Sequence, residues 1–374
     1  MRVIGLMSGT SMDGVDIALI ETDGVSITKV GPSGYRAYDI AERTTIAAAL
    51  DQAAALSDRD ARPSALVAAE RLVTEAHIAV VSDFLNHYAI DANSVAAIGF
   101  HGQTVFHAPE RGLTIQLGDG AVLADAVGID VVYDFRAADM AAGGQGAPFV
   151  PVYHQALASY LDLDLPVAFA NIGGVANITV VRADADPIAF DTGPGNAMLD
   201  DWVLAKTGQA YDEGGALSAS GQADSAALTA LMSDAYFAVL FPKSLDRRHF
   251  SAQPVEGLSP ADGAATLTAF TAESLALALR QATPERVSRL IVVGGGARNP
   301  TILAALQERL AAEVTTLDAI GAAKSLTSDA VEAQAFAYLA SRKLTGQPAT
   351  FPTTTGVSHP VVGGVIVRPK IQAA

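Results

Sequence analysis

Short apolar runs separated by polar, glycine-bearing stretches dominate the start of this chain. Val3–Leu6 and Val15–Ile20 flank a Gly/Ser/Thr/Asp stretch, which predicts strand, polar turn, strand. Alanine-rich segments with helical spacing follow at Arg43–Leu56 and Pro63–Leu85. An apolar strand then ends in a polar motif, Ile98-Gly99-Phe100-His101-Gly102-Gln103-Thr104. Beyond it the pattern predicts a strand at Thr114–Leu117, a helix at Asp119–Ala126 and an apolar run at Ile129–Tyr133. Asp139–Pro151 is rich in Gly, Ala and Pro and has no periodicity, so it reads as a crossing loop near a domain boundary.

A second hairpin repeats the shape of the first, with Val167–Ala170 and Asn177–Val181 around the turn Asn171-Ile172-Gly173-Gly174. Later, Arg289–Val293 leads into Gly294-Gly295-Gly296 and a helix opening at Asn299-Pro300, as Ile98–Thr104 closes a strand in the first half. The chain thus reads as two copies of one plan, alike in pattern and not in residues. Strands alternating with helices indicate an α/β fold with a mixed sheet in each half. The expected division is a first domain of 1–135 plus 346–374 and a second of 136–345.

Composition narrows the chemistry. With 374 residues, half of them hydrophobic and 17% charged, the chain has room for two cores and fits a compact globular enzyme. A formal charge of −16 repels phosphodiester backbones, so nucleic-acid binding is disfavoured. A nucleotide site is not excluded, because backbone N–H groups and Mg²⁺ hold small anions without side-chain charge. The absence of cysteine rules out disulfides, thiolate metal sites and Cys nucleophiles. Arg2–Leu6 runs directly into an apolar strand, unlike a signal peptide. No apolar run approaches the roughly 20 residues that span a bilayer, so a cytoplasmic protein with no membrane partner is expected.

Three stretches could carry chemistry. Gly5–Asp16 places two glycines and several hydroxyls between strands, as a phosphate cradle requires, or it is a long glycine-rich turn. It is not a Walker A loop, since no Gly-Lys-Ser/Thr follows. Ala189–Asp200 reads as a strand ending at Asp191, a Gly193-Pro194-Gly195 turn and a helix starting at Asn196. There Asp191 could orient Mg²⁺, act as a base, or only hydrogen-bond the turn. Val292–Pro300 brings three glycines to a strand end, where an adenine or ribose could lie, though most such runs are loops. His101 is either a substrate contact or a loop histidine, and no histidines show metal-ligand spacing. Asp329 and Glu332 open a helix predicted over Asp329–Arg342, where acidic residues suit the dipole in any protein. Lys243, Arg247 and Arg248 form a basic cluster that holds an anion or simply starts a solvated helix.

The order of these stretches resembles the phosphate-1, phosphate-2 and adenosine elements of the acetate kinase, sugar kinase, chaperone ATPase and actin superfold. Within it, Gly5-Leu6-Met7-Ser8-Gly9-Thr10-Ser11-Met12-Asp13-Gly14-Val15-Asp16 resembles the signature of the anhydro-N-acetylmuramic acid kinases. His101–Thr104, Asp134–Arg136, Gly143–Pro148, Asn171–Gly174, Phe190–Asn196 and Phe241–Ser244 are similar to further segments of that family. So are Ala265–Thr268, Val293–Pro300, Glu332-Ala333 and Thr355-Gly356, so the resemblance covers nearly the whole chain. Leu245–His249 matches least well.

The resemblance implies two ribonuclease H-like, actin-like ATPase domains, with mixed sheets flanked by helices and a nucleotide in the cleft between them. It implies a kinase of peptidoglycan recycling that opens 1,6-anhydro-N-acetylmuramic acid with water and phosphorylates the freed O6 from ATP. Asp191 matches the family's catalytic base. Gly9, Thr10, Ser11, Met12, Asp13, Gly14, Val15 and Asp16 would hold the phosphates, with Gly193, Gly195 and Asn196 on the second phosphate element. Mg²⁺ would bridge the β- and γ-oxygens, held by a carboxylate that the sequence does not identify. Gly294, Gly295, Gly296 and Asn299 would receive the adenosine. The sugar would meet His101, Arg136, Lys243 and Glu332, with Arg136 or Lys243 suited to the lactyl carboxylate. Family analogy also suggests a homodimer. Alternative readings are a kinase for another sugar or sugar acid in the superfold, and a non-enzymatic nucleotide-gated binding module.

Overall fold

The computed structural model describes residues 1–9 and 11–370; Thr10, expected in the phosphate loop, lies outside the described residues. Its strands are β1 (Arg2–Ser8), β2 (Gly14–Thr22), β3 (Ile27–Ala37), β4 (Ala97–Ala108), β5 (Leu113–Leu117), β6 (Val131–Tyr133), β7 (Val167–Ile172), β8 (Val175–Val181), β9 (Ile188–Pro194), β10 (Arg289–Val293), β11 (Glu313–Thr316) and β12 (Val365–Val367). The chain divides into two compact units, one of Met1–Tyr160 with Lys324–Ala374 and one of Leu161–Ala323.

In the first unit the strand order is β12-β6-β4-β1-β2-β3, with β5 on β4; in the second it is β11-β10-β7-β8-β9. β1-β2-β3 and β7-β8-β9 each pair antiparallel, and β4 with β6 in the first unit and β10 with β11 in the second continue parallel to β1 and β7. The two sheets therefore share one plan strand for strand, as the repeated hairpin pattern predicts, and it is the mixed-sheet arrangement expected of ribonuclease H-like domains.

Alternation along β1 and β4 explains how the first sheet is covered. Ile4, Leu6, Ile98 and Phe100 enter a core with Val73, Val80, Phe84 and Leu123 from the helices Ser64–His87 and Gly120–Val127. Between them, Gly5 and Gly99 sit opposite each other in register. A Cβ on Gly5 would overlap the carbonyl of Ala333, and one on Gly99 the carbonyl of Phe336. The helix Val331–Thr345 therefore lies directly on the backbone of the two central strands, in a groove that only paired glycines leave open.

That contact corrects the expected domain limits. Residues 331–345 belong to the first unit, and so does the helix Pro151–Tyr160, whose Tyr153 hydroxyl donates to Gln334 Oε1 at 2.7 Å. Tyr338 and Arg342 tie the same helix to the β2–β3 turn through the carbonyls of Val25 (2.9 Å) and Gly24 (3.1 Å). Two further differences have local causes. β3 escapes hydrophobic patterning because it is a half-exposed edge strand carrying Gly31 and Pro32, tolerated where one side pairs with nothing. β4 does not end within His101-Gly102-Gln103-Thr104 but continues to Ala108, since β5 supplies a partner from Gln103 onward. No described helix is long and apolar enough to cross a membrane.

Replacing Gly99 by alanine should strain this packing by about 1–3 kcal/mol. Thermal unfolding should show a Tm lowered by several degrees. Gly257→Ala, with open space around the added methyl, should leave Tm unchanged.

Candidate active site

In the first unit the β1–β2 loop is braced from both sides. Ser8 Oγ donates to Gln103 Oε1 at 2.5 Å, and Gln103 Nε2 donates to the Gly9 carbonyl at 2.9 Å. Gln103 is fully buried, so its amide is fixed and the Gly9 peptide with it. On the far side the Tyr38 amide donates to the Asp13 carbonyl at 2.8 Å, and Tyr38 Oη lies 3.1 Å from Ser8 Oγ. Within the loop Met12 takes a left-handed φ of 53°, and Ser11 Oγ donates to Asp13 Oδ1 at 2.7 Å. The cradle is shorter than the motif. Gly14, Val15 and Asp16 lie in β2, and the Val15 side chain is buried in the core, where alternation along the strand puts it.

Asp16 instead presents a carboxyl with an unusual affinity for protons. Burial, then the negative charges of Asp13, Glu332 and Asp329, raise its pKa to about 7. Glu332, at the start of the helix seated on Gly5 and Gly99, is likewise pushed up by burial and by Asp13, against the pull of Arg136. These carboxylates form a like-charged group that a cation would relieve.

Arg136 and His101 form the other half of this site. Arg136 Nη1 donates to the Gly146 carbonyl at 2.5 Å, and its Nη2 lies 2.9 Å from His101 Nε2. A guanidinium only donates, so Nε2 accepts and the ring proton sits on Nδ1, which donates to the Gly102 carbonyl at 2.7 Å. Burial and the adjacent Arg136 depress the His101 pKa to about 3, keeping the imidazole neutral. Arg136 Nε is buried and has no hydrogen-bond partner among the described residues. Desolvation lowers the guanidinium pKa to about 10 against the favourable charges of Glu332 and Asp139, so it stays charged at neutral pH. The Gly143–Gly146 loop that receives Arg136 is itself held by fully buried Asp139. Its Oδ2 accepts from the Gly146 amide at 2.7 Å and its Oδ1 from Thr355 Oγ1 at 2.7 Å. Three separate sequence motifs thus meet at one guanidinium.

In the second unit Asp191 lies inside β9 rather than at its end, because pairing with β8 continues to Pro194. Its carboxyl Oδ2 accepts from the Leu245 amide at 2.8 Å. Burial raises its pKa to about 7, with that amide pulling the other way. Lys243, expected to face the sugar, is only 7% exposed, and its ammonium donates to the Tyr236 carbonyl at 3.0 Å. The amides of Gly195 and Asn196, expected on phosphate, donate to the carbonyls of Gly174 (3.0 Å) and Gly173 (2.7 Å). Gly193 is needed for close packing, since a Cβ there would overlap Ser274.

The Gly294–Gly296 turn packs on the end of β7. Gly294 has φ 77° and would meet Asn171 with a Cβ, and Gly296 would meet Ile172, so these two glycines serve that approach, while Gly295 is more open. Asn299 caps the helix Pro300–Arg309 as its sequence predicts, with Oδ1 accepting from the amides of Thr301 and Ile302. Sequence reasoning missed Tyr38, Asp139 and Tyr236. Each braces a functional residue through the fold and carries no local motif, so no signal in the sequence marked them.

The family model described as Anhydro-N-acetylmuramic acid kinase matches residues 1–369. A protein of that name from Rhodopseudomonas palustris (strain BisB18) is 52% identical over 370 residues, covering 99% of this chain and 100% of its own. One from Bradyrhizobium diazoefficiens (strain JCM 10833) is 51% identical over the same shares of the two chains. Among solved structures, component A of Acidaminococcus fermentans (R)-2-hydroxyglutaryl-CoA dehydratase superposes with a TM-score of 0.48 and 14% identity. It covers 91% of this chain and 99% of its own, a likeness too distant to bear on the chemistry.

A carboxyl whose folded pKa is raised from 3.8 to about 7 destabilises the fold progressively as pH climbs from about 4 to 7, and fully above that. Asp191→Asn removes the burden. Its Tm should exceed that of the parent at pH 8, and the gap should close toward pH 4–5.

Proposed function

The chain belongs to the anhydro-N-acetylmuramic acid kinase family, and we propose that Asp191 is the base of its reaction. The enzyme opens the 1,6-anhydro bridge of anhydro-N-acetylmuramic acid with water and phosphorylates the freed O6 from ATP. The oxygen of water bonds to the anomeric carbon as the bridging C1–O bond breaks. Asp191 takes the proton that water gives up, and O6 receives the γ-phosphoryl group as that group's bond to the β-phosphate breaks and ADP leaves. The observation that carries this reading is the Asp191 carboxyl, oriented through Oδ2 by the Leu245 amide and brought by burial to a pKa of about 7. A base so tuned is about half ionised near pH 7 and basic enough to accept a proton from attacking water.

Arg136 binds the lactyl carboxylate of the sugar, a role supported by its unpartnered buried Nε and its fixed orientation. His101, locked neutral, orients Arg136 and takes no part in proton transfer. Glu332 completes the sugar contacts. The braced loop from Gly9 to Asp13 holds the ATP phosphates, and Gly294–Gly296 with Asn299 receives the adenosine. Asp16 is the carboxylate for Mg²⁺. Burial and then the charges of Asp13, Glu332 and Asp329 disfavour its ionised form, and a bound cation would relieve that. Bound there, Mg²⁺ would offset charge on the β- and γ-phosphates. A cytoplasmic location fits ATP use and the lack of cysteine, and the charge of −16 argues against a nucleic-acid partner.

Mass spectrometry of the product formed from Mg·ATP and the anhydrosugar in ¹⁸O-water tests the reaction. One phosphoryl group and one labelled oxygen are expected. Phosphorylation without label would remove Asp191's role in activating water. The acid limb of the kcat profile should fall below about pH 7, because protonated Asp191 cannot accept a proton. Asp191→Asn should lower kcat by orders of magnitude. Arg136→Ala should raise KM for the sugar about 10- to 100-fold, the worth of a charge-assisted hydrogen bond, with a smaller change in kcat.

A further inference from the structure

Lys243 and Tyr236 complete a closed circuit around Asp191. The Asp191 carbonyl accepts from the Tyr236 hydroxyl at 2.6 Å. The Tyr236 carbonyl accepts from the Lys243 ammonium at 3.0 Å. The Lys243 carbonyl accepts from the Asp191 amide at 3.0 Å. Each residue gives one donor and one acceptor, and the ring returns to its start. Two positions past Lys243, the Leu245 amide reaches Asp191 Oδ2 at 2.8 Å. The segment that fixes the carboxyl is therefore the segment the circuit fixes.

The stretch from Val239 to Phe250 contains no strand and no helix, apart from the end of the short turn Ala235–Ala238 just before it, so ladder hydrogen bonds do not hold it in place. Side-chain anchors do. The Lys243 ammonium lies 4.4 Å from the centre of the Tyr236 ring and 5.8 Å from that of Phe190, the residue preceding Asp191. Phe241 stacks on Phe190 with centroids 4.9 Å apart and planes 7° from parallel. A buried ammonium with a carbonyl acceptor and two aromatic faces is already occupied, and it is poorly placed to receive a substrate carboxylate.

We propose that Lys243 and Tyr236 are positioning residues for the catalytic carboxylate, holding Asp191 through the 236–245 segment, and that Lys243 does not contact the sugar. This rests on Asp191 being the base. Breaking one link lets the Leu245 amide drift from Oδ2. The aim of the carboxyl is then lost, and so is a hydrogen bond that favours its ionised form.

The test is steady-state kinetics of Lys243→Met, which keeps the apolar stem and removes the ammonium, and of Tyr236→Phe, which keeps the ring. Both are run with the anhydrosugar and with the same sugar lacking its lactyl ether. For both variants kcat should fall about 10- to 100-fold, as misplacement of a reacting group by about 1 Å predicts. KM for the sugar should change less than about twofold. The acid limb of kcat should move to higher pH, a shift that mere loss of folded enzyme does not produce. The loss should be equal on both sugars. A raised KM with kcat and acid limb unchanged, or a penalty that vanishes without the lactyl group, would overturn the inference and make Lys243 a carboxylate ligand. Tyr236→Phe decides the matter if Lys243→Met does not fold. Near-normal turnover by Asp191→Asn, measured alongside, would instead strike the base assignment.

Discussion

The contact between the helix Val331–Thr345 and the bare backbone of β1 and β4 governs much of the first unit. Gly5 and Gly99 are register partners, and the helix rests where their side chains would be. Because the helix comes so close, its opening residue Glu332 stands within electrostatic reach of Asp13, Asp16 and Arg136, and the raised pKa of Asp16 follows from that crowding and from burial. The absence of two methyl groups in the centre of a sheet thus lets Glu332 add to the burial and the Asp13 charge that raise the pKa of a carboxyl in β2. Hydrophobic burial holds the other face, but any apolar residues of suitable volume could do that. The glycine groove has no substitute.

The two units share their strand order and diverge in how each arms its loops. In the first, buried side chains brace the loops: Gln103 behind Gly9, Tyr38 behind Asp13, and Asp139 behind Gly146. In the second, backbone groups largely engage one another, as where Gly195 and Asn196 donate to Gly174 and Gly173. The same scaffold therefore presents a polar, charged surface in one copy and a tightly self-bonded turn in the other. The shared strand order supplies the frame, and the side chains at the loop ends make the halves different.

Much of this was legible in the sequence. Apolar runs located most of the central strands, Asn299-Pro300 marked its helix start, and the spacing of motifs identified the family. The domain limits were not legible. The expected division places the helix predicted over Asp329–Arg342 in the second half, whereas the paired glycines, 94 positions apart in sequence, seat it on the first. The role of Lys243 was hidden for a related reason. A lysine in a matched motif suggests an anion, whereas its acceptor is the carbonyl of Tyr236, which nothing nearby in the chain announces. The burial of the Val15 side chain follows from strand alternation, which a contiguous motif does not display.

The guanidinium of Arg136 enters each catalytic cycle with two of its three nitrogens already committed, to the Gly146 carbonyl and to a histidine whose tautomer is fixed. A surface arginine would have to surrender several rotors whenever substrate arrived. Here that ordering is completed once, as the polypeptide folds, and is not repeated at each turnover. On the proposal that Arg136 binds the sugar's acid group, recognition becomes an encounter with a rigid template, and the entropy of making it rigid is drawn from the stability of the protein instead of from its affinity for substrate.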